Sequence, residues 1–148
     1  MVKVPPPIWA LIYVLVALAM SWQLGWPLLP GLPLPKLGFA LAFIPWVLPV
    51  WAAVVFQRAG TEISPVSPTN QALVVDGPYR YTRNPMYLGL VLVTLGIAIW
   101  IGAWPMFLAP IAVFATANWV HIPFEEAKMH RQFGAAYDDY LTRVRRWI

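Results

Sequence analysis

The 148-residue sequence contains no cysteine. That excludes disulfides, a thiol nucleophile and a thiolate-bound metal. Charge is also scarce: Asp, Glu, Lys and Arg together make up 11% of the chain, where soluble domains carry about a quarter. No Gly-rich strand–turn–helix is present, so a cofactor held in the Rossmann manner is not expected. Internal repeats and low-complexity tails are absent as well. What remains is 60% hydrophobic, with nine Trp and sixteen Pro. Trp favours membrane interfaces and Pro is tolerated in membrane spans. The composition therefore predicts one all-α integral membrane domain over residues 1–148. The net charge of +4 comes from basic residues that flank apolar segments. Anionic lipid headgroups, and not nucleic acid, are the expected partner.

After a short Pro-rich lead, a first apolar segment covers about residues 8–26, roughly the twenty residues a bilayer requires. Ala17-Leu-Ala19 resembles a signal-peptide cleavage site, but the lead is weakly basic and apolar residues continue past it, so a span is the expectation. Four prolines between Pro27 and Pro35 preclude regular helix there and predict an interfacial connector. A second span is expected at 37–56, kinked by Pro45 and Pro49. A polar loop at 59–70 follows. A third span at 86–103 and a short fourth at 105–120 are joined by a tight turn, with His121-Ile-Pro-Phe124 expected to break the fourth. From 124 to 147, Phe133, Tyr137, Tyr140 and Val144 recur at spacings of four, three and four. That pattern predicts an amphipathic C-terminal helix, with Asp139 and Arg143 paired across one turn.

Four spans place the N-terminus, the 58–83 loop and the C-terminal helix on one side. That side holds nine of the ten Lys and Arg residues, all but Lys36, and all six acidic residues. The excess of basic residues marks it as cytoplasmic. Polar chemistry is thus expected at the cytoplasmic face of the inner membrane.

Two stretches border the third and fourth spans on that face. The first is the loop 71–87. In it Gly77-Pro78 reads as a turn, and Asn84-Pro85 reads as a helix start in which Asn caps and Pro occupies the first position. Arg80 and Arg83 precede that start, where a helix N-terminus suits an anion. The second stretch begins at His121 and carries Glu125-Glu126. Adjacent helical residues point about a hundred degrees apart, so one glutamate of the pair is expected to face a site. No metal-ligand cluster accompanies them.

Gly77-Pro-Tyr-x-Tyr-x-Arg-Asn-Pro-x-Tyr-x-Gly89, followed by Glu125-Glu126-x6-Phe-Gly134-x2-Tyr137-x2-Tyr140, resembles the isoprenylcysteine carboxyl methyltransferase family. Its bacterial relatives and the phospholipid N-methyltransferases share that plan. The likeness covers about half the chain. It implies an S-adenosylmethionine-dependent methyltransferase acting on a small lipophilic or lipid-anchored acceptor. By motif position it implies a cofactor pocket formed by Gln71, Ala72, Leu73 and Val74, largely through backbone, with Tyr79, Asn84, Pro85, Met86, Tyr87 and Glu126. It places His121 and Glu125 near the acceptor as catalytic residues. The prenylcysteine enzymes usually have His at the position of Asn84 and Arg at that of His121, a departure that bears on the acceptor more than on methyl transfer. Two alternatives belong to other classes: a nicotinamide-dependent membrane lipid reductase, and a non-catalytic membrane protein that binds lipid or a partner.

Overall fold

The computed structural model describes residues 4–61 and 70–148. Most of the polar loop expected at 59–70 therefore lies outside the described residues. Among those described, the chain is helical, and its only bridge between extended segments joins Leu28 to Ala103. Helix α1 (Pro6–Gln23) starts on two prolines, which lose no needed hydrogen bond in a first turn. Helix α2 (Pro35–Phe43) passes through a tight 3₁₀ turn at Ile44–Trp46 into α3 (Val47–Arg58). Pro45 sits in that turn. α4 (Pro85–Ile101) and α5 (Leu108–Thr116) form a hairpin closed by a 3₁₀ turn at Trp104–Phe107. The Pro27–Pro35 connector lies along the closed end of the hairpin, with Leu29 N–H bonded to the Gly102 carbonyl and Trp104 N–H to the Pro27 carbonyl.

Three helical stretches are long and apolar enough to cross a membrane: Pro6–Gln23, Pro35–Arg58 and Trp104–Phe133; Pro85–Ile101 is a shorter apolar helix. The protein is an all-α membrane protein. Hydropathy does not distinguish which face of such a helix meets lipid; packing does. In α1, Ala10, Val14, Ala17 and Ser21 are buried at helical spacing, while Leu11, Leu15 and Val16 face outward. Small residues let helices approach closely where no hydrophobic effect drives association. A methyl built on Gly96 would lie 2.2 Å from the Ala42 backbone nitrogen, and one on Gly38 2.4 Å from that of Trp100. α2 and α4 therefore touch backbone to backbone.

Two expectations are corrected at the C-terminal end. His121-Ile-Pro-Phe124 does not break the fourth helix. The helix widens into a π-helical turn at Ala117–His121 and continues as α6 (Ile122–Phe133). The wider turn allows Pro123, which has no N–H, to be accommodated without a stop. The continuous stretch Trp104–Phe133 is 30 residues long, about 45 Å at helical rise, so it exceeds the roughly 30 Å apolar layer. Its apolar run ends at Val120, and α6, which is polar, projects beyond it. The C-terminal helix is also not continuous over 124–147. Gly134 (φ 47°, ψ −123°) divides α6 from α7 (Ala135–Arg143), and Val144 is extended. Asp139 does pair with Arg143, at 2.7 Å on the exposed face.

Candidate active site

A cavity of about 400 Å³ lies where the loop before α4 meets α6 and α7, within the size range of small-molecule sites. Ala72, Leu73, Val74, Tyr79, Asn84, Pro85, Met86, Tyr87, Glu125 and Glu126 all line it. The two sequence motifs are thus brought together by the hairpin between them. Pro6, Trp46, Pro49, Phe56 and Leu90 make an apolar wall of it.

Local sequence explains how each piece is held. Gly77 (φ 61°) and Pro78 set the 3₁₀ turn Gly77–Arg80, which turns Tyr79 inward to 8% exposure. Tyr140 Oη donates to the Tyr79 carbonyl at 2.7 Å. Asn84 does not cap α4, contrary to expectation: its side chain makes no cap bond. Its Nδ2 instead donates to the Arg146 carbonyl at 2.9 Å. That carbonyl also accepts from Thr82 Oγ1, and Arg83 N–H bonds the Arg145 carbonyl. The extended C-terminal residues therefore strap the loop 82–84 in place.

The two glutamates have different surroundings. Glu126 Oε1 accepts from Arg83 at 3.0 Å and from Arg146 Nε at 3.2 Å, and Arg146 also bonds Oε2. Glu125 faces the cavity and accepts from Tyr87 Oη at 2.6 Å, in the short range of charge-assisted bonds. Burial pushes the Glu125 carboxyl up to about 7; the Tyr87 hydrogen bond and the Lys128 charge act the other way, and Glu126 adds to the rise. Burial, with Glu125 beside it, also keeps the Tyr79 phenol well above its ordinary value.

Two expected site residues stand apart from the cavity. Gln71 is exposed, and its backbone N–H is held by Thr61 Oγ1 at 2.9 Å. His121 is 2% exposed and lies behind Tyr87, its ring stacked on the tyrosine with centroids 5.9 Å apart. It borders a separate, much smaller cavity with Trp9, Tyr13 and Thr116. Arg80 pairs with exposed Asp76 and does not reach the cavity.

Several residues at the site were not among the expected site residues. Lys128, Met129, Tyr137 and Tyr140 line the cavity from α6 and α7. The Phe133–Tyr140 stripe reads as packing alone, and a stripe does not reveal that part of its inner face borders a hollow. Thr61 is found only by following the backbone N–H groups of Gln71 and Ala72 to their acceptor.

The phospholipid methyltransferase family model matches residues 35–136, a stretch that contains the first motif, the hairpin and the Glu125–Gly134 part of the second motif. The chain belongs to the phospholipid methyltransferase family. Among its relatives, methanethiol S-methyltransferase 2 of Bradyrhizobium diazoefficiens is 38% identical over 89 residues. The match covers 57% of this chain and 30% of that enzyme. An "uncharacterized protein" of Haemophilus influenzae is 35% identical over 63 residues, 43% of this chain and the whole of its own length. Membership places the chain in a membrane methyltransferase family, in keeping with the resemblance to isoprenylcysteine carboxyl methyltransferases.

Proposed function

We propose that the protein transfers a methyl group from S-adenosylmethionine to a small lipophilic acceptor at the cytoplasmic face of the inner membrane. The observation that carries the reading is the cavity itself, walled by both family motifs and open to chemistry through Glu125, Tyr87 and Tyr79. The donor set suits the cofactor. Tyrosine faces tolerate a sulfonium cation, the backbone of Ala72, Leu73 and Val74 supplies hydrogen-bonding groups, and Asn84, Pro85 and Met86 complete the wall. When bound, the cofactor supplies an electrophilic methyl group. The protein's part is then to hold the acceptor in line with it and to exclude water.

In this reading Glu125 meets the acceptor, Tyr87 orients Glu125, and His121 supports the Tyr87 ring from behind. Glu126 organises the loop through Arg83 and Arg146. The apolar wall made by Pro6, Trp46 and Pro49 admits a lipophilic acceptor from the bilayer side. The named activity of the Bradyrhizobium relative makes small thiols an acceptor class to try. A nicotinamide cofactor is less well served. Its phosphates need cations, and Arg80 and Arg83, the basic residues of the loop, are paired with Asp76 and Glu126.

The test is transfer of labelled methyl from S-adenosylmethionine into solvent-extractable product by purified protein in lipid bilayers. Label in the organic phase, lost with Tyr87→Ala, supports the assignment. Labelled S-adenosylmethionine left unchanged with thiol, amine, carboxylate and phenol acceptors contradicts it.

A further inference from the structure

Resting on the cofactor reading above, we infer that Asn118, in the π-helical turn, is a positioning residue for the cofactor pocket and acts through Arg146 and Trp147. Asn118 lines neither cavity. It lies in the apolar run that ends at Val120, where only Thr116 and Asn118 carry a hydroxyl or amide side chain. A polar group in such a run is costly without a partner. Asn118 finds its partners on the extended segment after α7. Its Oδ1 accepts from Trp147 Nε1 at 3.1 Å and lies 3.5 Å from Arg146 Nη1.

The backbone of the same segment holds the loop before α4. The Arg146 carbonyl accepts from Asn84 Nδ2 at 2.9 Å and from Thr82 Oγ1 at 3.2 Å, and the Arg145 carbonyl accepts from the Arg83 N–H at 3.0 Å. Arg83 and Asn84 line the large cavity. One short piece of chain therefore has Asn118 on one side and the pocket's loop on the other. Two other contacts hold that piece, and neither fixes its register. The Trp147 ring packs on Phe114, with centroids 4.8 Å apart, and against the Tyr87, Ala117 and Ile122 cluster; apolar packing is non-directional. The Arg146 guanidinium reaches Glu126 on a long flexible stem, which tolerates a sliding backbone. The directional bond from Trp147 Nε1 to Asn118 sets where the ring sits, and the Arg146 carbonyl is the next peptide group along. The π-helical turn thus meets both parts of the pocket wall. Ala117 and His121 back Tyr87 by packing, and Asn118 places Asn84 through the segment. Widened turns of this kind recur at functional sites.

The experiment uses the full chain in nanodiscs and has two readouts. One is isothermal titration with S-adenosylhomocysteine. The other is hydrogen exchange at the Arg83 amide, whose bond to Arg145 reports the segment's seating directly. Asn118→Leu removes the accepting oxygen at similar volume; Trp147→Phe keeps a ring against Phe114 and removes the N–H. Each variant should bind about five- to tenfold more weakly, the scale of one lost hydrogen bond, and should exchange faster at Arg83. The double variant should bind no more weakly than the poorer single one, because both changes break one route, whereas independent effects multiply. By linkage, saturating S-adenosylhomocysteine should slow Arg83 exchange in the wild type. Losses that multiply in the double variant overturn the inference. So does a lower melting temperature with unchanged affinity, the mark of a merely structural role. If Asn118→Leu does not fold, Trp147→Phe carries both readouts. Failure of the wild type to bind S-adenosylhomocysteine is a different result: it ends the cofactor reading, while unchanged Arg83 exchange in the variants ends the role of Asn118.

Discussion

Arg83 reaches over 43 residues of chain to Glu126, donating to its carboxylate at 3.0 Å with both side chains mostly buried. Arg83 also holds the Leu141 and Val144 carbonyls, and Arg146 closes on the same glutamate. This joint fastens the loop before α4 to the α6–α7 arm. Replacing Glu126 by Gln leaves two guanidinium groups short of their anion. The cost is roughly 2–3 kcal/mol, the scale of charge-assisted hydrogen bonds. Thermal unfolding in detergent should shift down accordingly. Limited proteolysis should then cut first around the Gly134 joint. An unchanged melting curve would show that the loop is held some other way.

Thr61 makes a quieter contribution. Its hydroxyl accepts from the Gln71 N–H at 2.9 Å and lies 3.5 Å from that of Ala72. Thr61→Val keeps the shape and strands both donors. We expect S-adenosylhomocysteine affinity to fall about five- to tenfold, about 1–1.4 kcal/mol, and Thr61→Ser to restore it. Isothermal titration of the three proteins is the check; equal affinity of the Val variant would remove Thr61 from the site's framework.

The contact between α2 and α4 allows no side chain at Gly96. Its added methyl would meet the Ala42 backbone at 2.2 Å, and backbone cannot rotate away. Gly96→Ala should cost about 1–3 kcal/mol by overpacking, measured as a lower denaturation midpoint. Ala98→Gly, at a buried position two residues on, gives the contrasting case of a group removed instead of added. Loss of stability at Gly96 no greater than that of an exposed-face Leu11→Ala control would argue against the close approach.

Removing the Tyr87 hydroxyl tests the bond to Glu125. That bond lowers the glutamate's pKa against the larger, opposing effect of burial. Tyr87→Phe should therefore move the acid limb of the pH–rate profile to higher pH. A related sign holds for stability. The folded-state value, about 7, lies above the ordinary 4.5, so the folded state holds the proton more tightly than the unfolded chain. Stability is greatest below about 4.5 and declines as pH rises towards 7. Glu125→Gln should flatten that decline. A limb that moves down in Tyr87→Phe would show that the hydroxyl does not stabilise the carboxylate.

Much of this arrangement was legible in the residues. Uniform apolar runs mark spans because a bilayer demands them, and a tight turn between two spans forces their far ends together. That was enough to place Tyr87 near Glu125. The sequence did not show which residue of a conspicuous group reaches the cavity. Glu125 and Glu126 are neighbours and both border the hollow, yet Glu125 is bonded to Tyr87 while Glu126 is fastened by two arginines. His121, which the resemblance placed near the acceptor, ends the π-helical turn and stacks behind Tyr87, away from the cavity. Asn84 has the composition of a cap but serves the C-terminal strap, a partner 62 residues away. Helix breaks were misplaced for a related reason: Pro123 falls where a widened turn absorbs it, while Gly134 supplies the backbone angles that divide the arm.

Calorimetric binding of S-adenosylhomocysteine to purified protein, with Tyr87→Ala beside it, tests cofactor binding at this cavity without need of an acceptor. Saturable one-site binding to the wild type is expected, weakened at least tenfold by the substitution. No binding to folded protein, in detergent and again in lipid bilayers, would contradict it.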